Sequence, residues 1–74
     1  MAFEYATSIG LLRLAQTDRG WVLNFVEDQG GIWTSPDAAV SAAARHETGL
    51  RAWDRANADV PDDLLDWRPL GESL

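Results

Sequence analysis

The side chains with which this chain could do chemistry are its one histidine and its scattered serines and aspartates, and their spacing defines no catalytic site. His46 follows a run of alanines near a predicted helix end. As a catalytic base it would need a nucleophile or an orienting carboxylate, and the sequence places neither beside it. Ser35 with His46 and any aspartate is no triad signature, because such residues occur in almost every chain. We therefore interpret His46 as a surface or capping residue and expect no enzymatic activity.

The acidic and glycine-rich segments likewise match no metal or cofactor motif. Asp62 and Asp66 would lie one turn apart in a helix, with Asp63 beside them, but the spacing of an EF-hand loop is absent. With one histidine and no cysteine, the chain cannot form a multi-histidine metal site, a thiolate zinc site or a disulfide. The phosphate-binding patterns GxGxxG and GxxxxGKS/T are missing, so Gly30 and Gly31 predict only a turn. We expect no metal and no cofactor.

Composition narrows the class of protein further. The 74 residues predict one domain, residues 1–74, with a formal net charge of −6. All six basic residues are Arg, and this Ala-rich, Lys-free usage is typical of GC-rich bacterial genomes. The acidic balance disfavours a nucleic-acid partner, since phosphate binding depends on Lys and Arg. No signal-peptide pattern is visible and no segment approaches the ~20 apolar residues of a membrane span, so we expect a cytoplasmic protein with no membrane partner.

The best-specified local structure is a β-hairpin that leads directly into a helix. Residues 20–27 (GWVLNFVE) are rich in aromatic and β-branched side chains and predict a strand. Residues 28–31 (DQGG) predict the tight reversal, because glycine readily adopts positive φ values, and residues 32–34 predict the returning strand. Alternation makes both faces of the first strand apolar. One face carries Trp21, Leu23 and Phe25, and the other carries Val22, Asn24 and Val26.

The segment before this hairpin predicts a third strand. Residues 8–16 (SIGLLRLAQ) would place Leu11 and Leu12 on opposite sides of the sheet, and the turn-forming sequence at residues 17–20 favours a hairpin. A helix is the alternative, because the leucines have no clean period. Residues 1–7 are either a frayed start or an added edge segment.

Three consecutive residues mark the start of the helix. Ser35 suits the N-cap, Pro36 the first helical position, and Asp37 the positive end of the helix dipole. Residues 38–47 are mostly alanine, and Gly49 stands where a left-handed C-terminal cap would fall. The predicted fold is therefore α+β: a three-stranded antiparallel meander in the order β-β-β-α, with one helix packed on it and an irregular C-terminal tail that carries a short helical turn.

The hairpin and helix, GWVLNFVE followed by GGIWTSPDAAVSAAA, resemble small modules of a three-stranded sheet plus a helix. Such modules are found in uncharacterised bacterial proteins and in the arm-binding domains of phage integrases. The resemblance covers about residues 8–49 and implies that fold. Integrase-type modules place basic strand residues against DNA, whereas the sheet predicted here offers only Arg13. The tail pattern, WD then VPDDLLDW, is similar to tails of other small bacterial proteins and implies no activity.

Residues 51–74 predict a tail that wraps onto the core formed by residues 8–50. Its apolar anchors are Trp53, Leu64, Leu65 and Trp67. A sheet that is apolar on both faces needs cover on both, and one helix covers only one. Either the tail or a second copy in a symmetric dimer would cover the other face. The candidate interaction surface comprises Leu11, Trp21, Leu23, Trp33, Trp53 and Trp67.

These features predict a non-enzymatic bacterial protein that acts through protein–protein contacts, as a small oligomer or an accessory subunit. One alternative is an acidic inhibitor or immunity-type protein that binds a basic partner. A second alternative is a nucleic-acid-binding module that uses Trp33 or Trp21 on an exposed sheet face. No small-molecule ligand is indicated.

Overall fold

The computed structural model describes residues 2–26 and 28–70, which form an antiparallel sheet covered by helices on one face. The strands are β1 (Ala2–Thr7), β2 (Gly10–Thr17), β3 (Gly20–Phe25), β4 (Asp28–Trp33) and β5 (Arg68–Leu70). The helices are α1 (Pro36–Ala44) and α2 (Arg51–Asp54), followed by a 3-10 turn at Leu64–Asp66. None of these helices is long and apolar enough to cross a membrane.

The prediction of a three-stranded meander is wrong, although the α+β class is right. The sheet has five strands in the order β4-β3-β2-β1-β5. The segment predicted as a frayed start or an edge is β1, and it lies inside the sheet between β2 and β5. Its alternation brings Phe3 and Tyr5 onto the core. The fifth strand ends the tail, and its Pro69 is tolerated because β5 is an edge strand.

The segment predicted as strand or helix is the strand β2, and it alternates strictly. Leu12 and Leu14 are fully buried, whereas Leu11 is 37% exposed. The turns on either side of β2 are built alike. In each turn a threonine hydroxyl donates to the carbonyl oxygen of the glycine three residues on, from Thr7 at 2.6 Å and from Thr17 at 3.0 Å. The turn predicted at residues 17–20 is therefore confirmed.

The turn predicted at residues 28–31 is misplaced, because those residues belong to β4. Phe25 pairs with Asp28, so the chain reverses between them, and Val26 has a φ of 55°. The predicted end of β3 at residue 27 lies outside the described residues. Gly30 pairs with Leu23, and the next two residues, Gly31 and Ile32, form a bulge inside β4 opposite the single residue Val22 of β3. Gly31 has a φ of 69°, and a Cβ there would lie 2.2 Å from the Trp33 ring.

The predicted start of the helix is confirmed and its predicted end is three residues too late. The Ser35 hydroxyl accepts a hydrogen bond from the Ala38 amide at 3.2 Å. The helix ends at Ala44, and His46 takes the left-handed position with a φ of 57°. The amide of His46 donates to Ala43 and that of Glu47 to Ala42, which is the Schellman pattern. Gly49 therefore does not cap α1 and lies in the loop before α2.

One face of the sheet carries the entire core, and the tail packs on that same face. The core unites Leu12, Leu14, Trp21, Leu23 and Phe25 from the sheet with Ala39, Val40 and Ala43 from α1 and Leu50, Trp53, Val60 and Trp67 from the tail. The small side chains of α1 lie against the large ones of the strands. Of the two covers predicted for the second face of the sheet, the tail is not correct, because it packs on the core face. That face has no covering layer within residues 2–26 and 28–70 and is hereafter the open face.

Candidate interaction surface

A row of polar side chains crosses the middle of the open face. The strand register places Glu4 of β1 opposite Arg13, Arg13 opposite Asn24, and Asn24 opposite Gln29. Glu4 also lies opposite Arg68 on β5. Residues directly opposite one another in a sheet share a face, so the row runs across all five strands.

The two arginines hold the carboxylate of Glu4 between them. Arg13 Nη2 lies 3.7 Å from Glu4 Oε2, and Arg68 Nη1 lies 3.9 Å from Glu4 Oε1. The Glu4 side chain is only 16% exposed, whereas those of Arg13 and Arg68 are 53% and 80% exposed. Exposed ion pairs of this kind contribute at most about 1 kcal/mol to stability, so their effect is mainly to fix the geometry of the row.

An apolar group flanks the polar row on the side of the β3–β4 turn. It consists of Leu11, at 37% exposure, and Val26, at 70%. Leu11 and Val26 line a shallow depression together with Arg13 and Asn24 of the polar row. The strand register places this depression over the boundary between β2 and β3.

A second apolar group flanks the polar row on its other side. Ala2, Ala15 and Val22 are aligned across β1, β2 and β3, with Leu70 opposite Ala2 on β5. Ile32, which is 57% exposed, lies beside Val22 in a second depression formed at the bulge of β4. The open face is thus a polar row between two apolar groups.

The six residues predicted to form an interaction surface do not lie together on this face. Trp53 and Leu23 are fully buried, Trp67 is 2% exposed and Trp21 is 7% exposed. Trp33 is partly buried against the core. Leu11 alone lies on the open face. Sequence reasoning missed the polar row and Ile32, because alternation separates the two faces of each strand but only the strand register places Arg13 and Asn24 on the same face.

His46 has a structural environment in the loop between α1 and α2. Its ring stacks on Trp53, with centroids 4.6 Å apart and planes 15° apart. His46 Nδ1 lies 2.8 Å from the Trp53 carbonyl oxygen, which can only accept, so Nδ1 carries the proton and donates. The Trp53 indole N–H in turn donates to Ala43 at 2.9 Å. This arrangement locks α2 against the end of α1.

Asp54 closes the same loop through three hydrogen bonds. Its carboxylate accepts from the Thr48 amide at 3.0 Å, the Thr48 hydroxyl at 2.8 Å and the Gly49 amide at 2.9 Å. Burial tends to raise the pKa of Asp54, but these hydrogen bonds, with a smaller electrostatic contribution from the nearby His46 ring, bring the pKa below its ordinary value. The polar groups of this loop are hydrogen-bonded to one another, and these bonds orient no side chain toward a substrate.

The acidic tail shows no metal-binding geometry in the described part of the chain. No group of three or more His, Cys, Asp or Glu side chains is arranged there to hold an ion. Asp63, one of the predicted acidic trio, instead accepts a hydrogen bond from the Leu65 amide at 3.0 Å and caps the 3-10 turn.

Comparisons with known proteins add no functional assignment. No protein-family model matches this chain, and no curated protein and no solved structure is significantly similar to it.

Proposed function

We propose that this is a non-enzymatic cytoplasmic protein that acts through protein–protein contacts made by its open face. The observation that carries the proposal is the exposure of Leu11, Val26 and Ile32 on one side of a sheet whose other side is closed by helix and tail. A sheet covered on one side alone usually presents polar residues to water on the other. Apolar side chains grouped on a sheet face are typical of a surface that a partner covers.

The two alternatives find less support. A nucleic-acid module would need Trp21 or Trp33 on an exposed face, but Trp21 is buried and none of the described open-face side chains is aromatic. An acidic inhibitor would use the opposite side of the molecule. The tail packs on the core face of the sheet, and its aspartates at positions 59, 62, 63 and 66 are exposed. Its complex with a basic protein would weaken steeply with salt, which a contact through the open face would not do.

Site-specific photo-crosslinking in the native host tests the proposal. A benzophenone amino acid replaces Leu11 or Val26 on the open face, and Leu65 serves as the matched control. Leu65 is 90% exposed, more than either test position, and belongs to the 3-10 turn of the tail. Circular dichroism verifies that all three variants are folded.

We expect protein adducts from positions 11 and 26 and few from position 65, whether the partner is a second copy or another protein. Adducts from position 65 alone would favour the acidic-inhibitor alternative. The absence of adducts from positions 11 and 26 would refute the proposal.

A further inference from the structure

We infer that the partner of the open face is the open face of a second copy, in a weak two-fold dimer whose axis runs parallel to the strands between β2 and β3. The inference rests on the proposed function and names its partner. Three features of the open face carry it: its charge, its symmetry and its area.

The charge of the open face suits a second copy. Among the described residues, the face carries two arginines and one glutamate, already paired with each other, while the whole chain has a net charge of −6. The acidic surplus therefore lies off this face among the described residues. Two copies can approach face to face without opposing their acidic groups, whereas a basic partner would be attracted to the other side.

The positions of the charged residues on the face determine where the two-fold axis can lie. A two-fold axis along β2 would place Arg13 over Arg13 of the second copy, and one along β1 would oppose the two Glu4 side chains. An axis between β2 and β3 interchanges these strands, so each residue of β2 faces its own cross-strand neighbour on β3 of the second copy. Leu11 then meets Val26, and Arg13 meets Asn24.

The same axis also brings the outer strands of the two copies into contact. It brings β1 over β4 of the second copy, so Glu4 meets Gln29 and Ala2 meets Ile32. No like charges are opposed among the residues that the structure describes, and each of the exposed apolar side chains at positions 11, 26 and 32 gains an apolar partner. The depression lined by Leu11, Arg13, Asn24 and Val26 lies on the axis itself. Sheets packed in this aligned manner interdigitate their side chains at a separation of about 10 Å.

The area of the face sets the expected affinity. Four or five strands about 4.8 Å apart and six residues long give a footprint of roughly 400–500 Å² per copy. The dimer would bury roughly 800–1,000 Å² in total, which is below the ~1,200–2,000 Å² of stable specific interfaces and in the range of weak, transient ones. We therefore expect association in about the micromolar to millimolar range.

Sedimentation equilibrium on the full chain, from about 1 µM to 1 mM, measures this association. Leu11→Glu and Val26→Lys each place a charge against an apolar side chain of the second copy. We expect each variant alone to dimerise at least about tenfold more weakly than the wild type. Leu65→Glu is the matched control and should dimerise like the wild type.

An equimolar mixture of the Leu11→Glu and Val26→Lys variants gives the decisive result. On the inferred axis, the new glutamate of one chain faces the new lysine of the other, and the second Leu11–Val26 contact remains native. The mixture should therefore associate more tightly than either variant alone. Unfolding in urea shows whether each variant remains folded.

Wild-type chain that is monomeric at 1 mM, or variants that dimerise like the wild type, would overturn the inference. If both variants dimerise more weakly than the wild type but their mixture associates no more tightly than either variant alone, the inferred axis is wrong. If the chain is monomeric while positions 11 and 26 crosslink to a different protein in the host, the proposed function stands and the second copy is excluded as the partner. If neither association nor crosslinking occurs, both fail.

Discussion

Replacement of His46 by glycine and by alanine separates the two roles of this residue. His46 holds the left-handed position at the end of α1, and its side chain stacks on Trp53 and donates to the Trp53 carbonyl oxygen. Both substitutions remove the side-chain contacts. Only glycine also removes the conformational cost of a positive φ, because it lacks a Cβ.

The magnitudes follow from these contacts. A neutral hydrogen bond contributes about 1 kcal/mol, and a stacked aromatic pair about 0.5–1.5 kcal/mol beyond its buried area. The left-handed conformation costs a non-glycine residue about 1–2 kcal/mol. His46→Ala should therefore lower the free energy of unfolding by about 2 kcal/mol, and His46→Gly by about 1 kcal/mol. A chain of this length is stabilised by roughly 4–11 kcal/mol in total, so both variants should remain folded.

Urea unfolding followed by far-ultraviolet circular dichroism measures both changes. The matched control is Arg45, the preceding residue, whose φ of −92° is open to any amino acid. There glycine should be less stable than alanine by about 0.5–1 kcal/mol, the reverse of the order at His46. If His46→Gly is no more stable than His46→Ala, the left-handed cap assigned to His46 is refuted.

Three further predictions concern the loops and the bulge. The pKa of Asp54 is lowered in the folded state, so ionised Asp54 stabilises the fold. This stabilisation is fully present above the pKa of the unfolded chain and is lost as the pH falls through the pKa of the folded chain. Asp54→Asn should cost about 1–3 kcal/mol at pH 7, and urea unfolding should show the difference from wild type shrinking below about pH 4; a difference independent of pH would contradict this. Gly31→Ala and Gly49→Ala both place alanine at a positive φ, but only the first meets the Trp33 ring, since nothing lies within 4 Å of a Cβ at Gly49. Gly31→Ala should therefore be the less stable by about 1–3 kcal/mol in the same assay, and equal losses would argue against the bulge. Val26→Asn should raise the thermal midpoint by an amount equivalent to about 0.5–1 kcal/mol, because asparagine tolerates the left-handed region better than valine; a lowered midpoint would contradict the φ of Val26.

The helix start and the strand faces could be predicted from sequence because local chemistry decides them. Ser35 and Pro36 suit a cap and a first helical position through local chemistry alone, and alternation separated Leu12 from Leu11 and Trp21 from Val22, although it did not show which side of the sheet is buried. The fourth strand was misjudged because glycines usually mark a turn. Here they permit a bulge, with Gly31 leaving room for the ring of Trp33.

The first strand was predictable from a signal that sequence analysis did not use. The pattern Thr-x-x-Gly at residues 17–20 also occurs at residues 7–10, and both copies form the same hydrogen-bonded turn. Recognition of the repeat would have predicted β1 as the strand preceding β2. The fifth strand offers no such signal. It is three residues long, contains Pro69, and exists because Trp67 is anchored in the core and brings the following residues to the free edge of β1.

The sheet has apolar side chains on both faces, which is why we predicted that both faces would be covered. The two groups have different environments in the structure. Most of those on the core side, including Leu12, Leu14 and Leu23, are fully buried under helix and tail. Those on the open face are divided by the row from Arg68 to Gln29, which keeps water and charge at the centre of the surface. A continuous apolar face would favour irreversible aggregation, whereas this divided one leaves the single chain hydrated and limits the apolar area that a partner can bury. The inferred dimer should therefore be weak and reversible, and Leu11 and Val26 are the positions at which a single charge should have its largest effect on it.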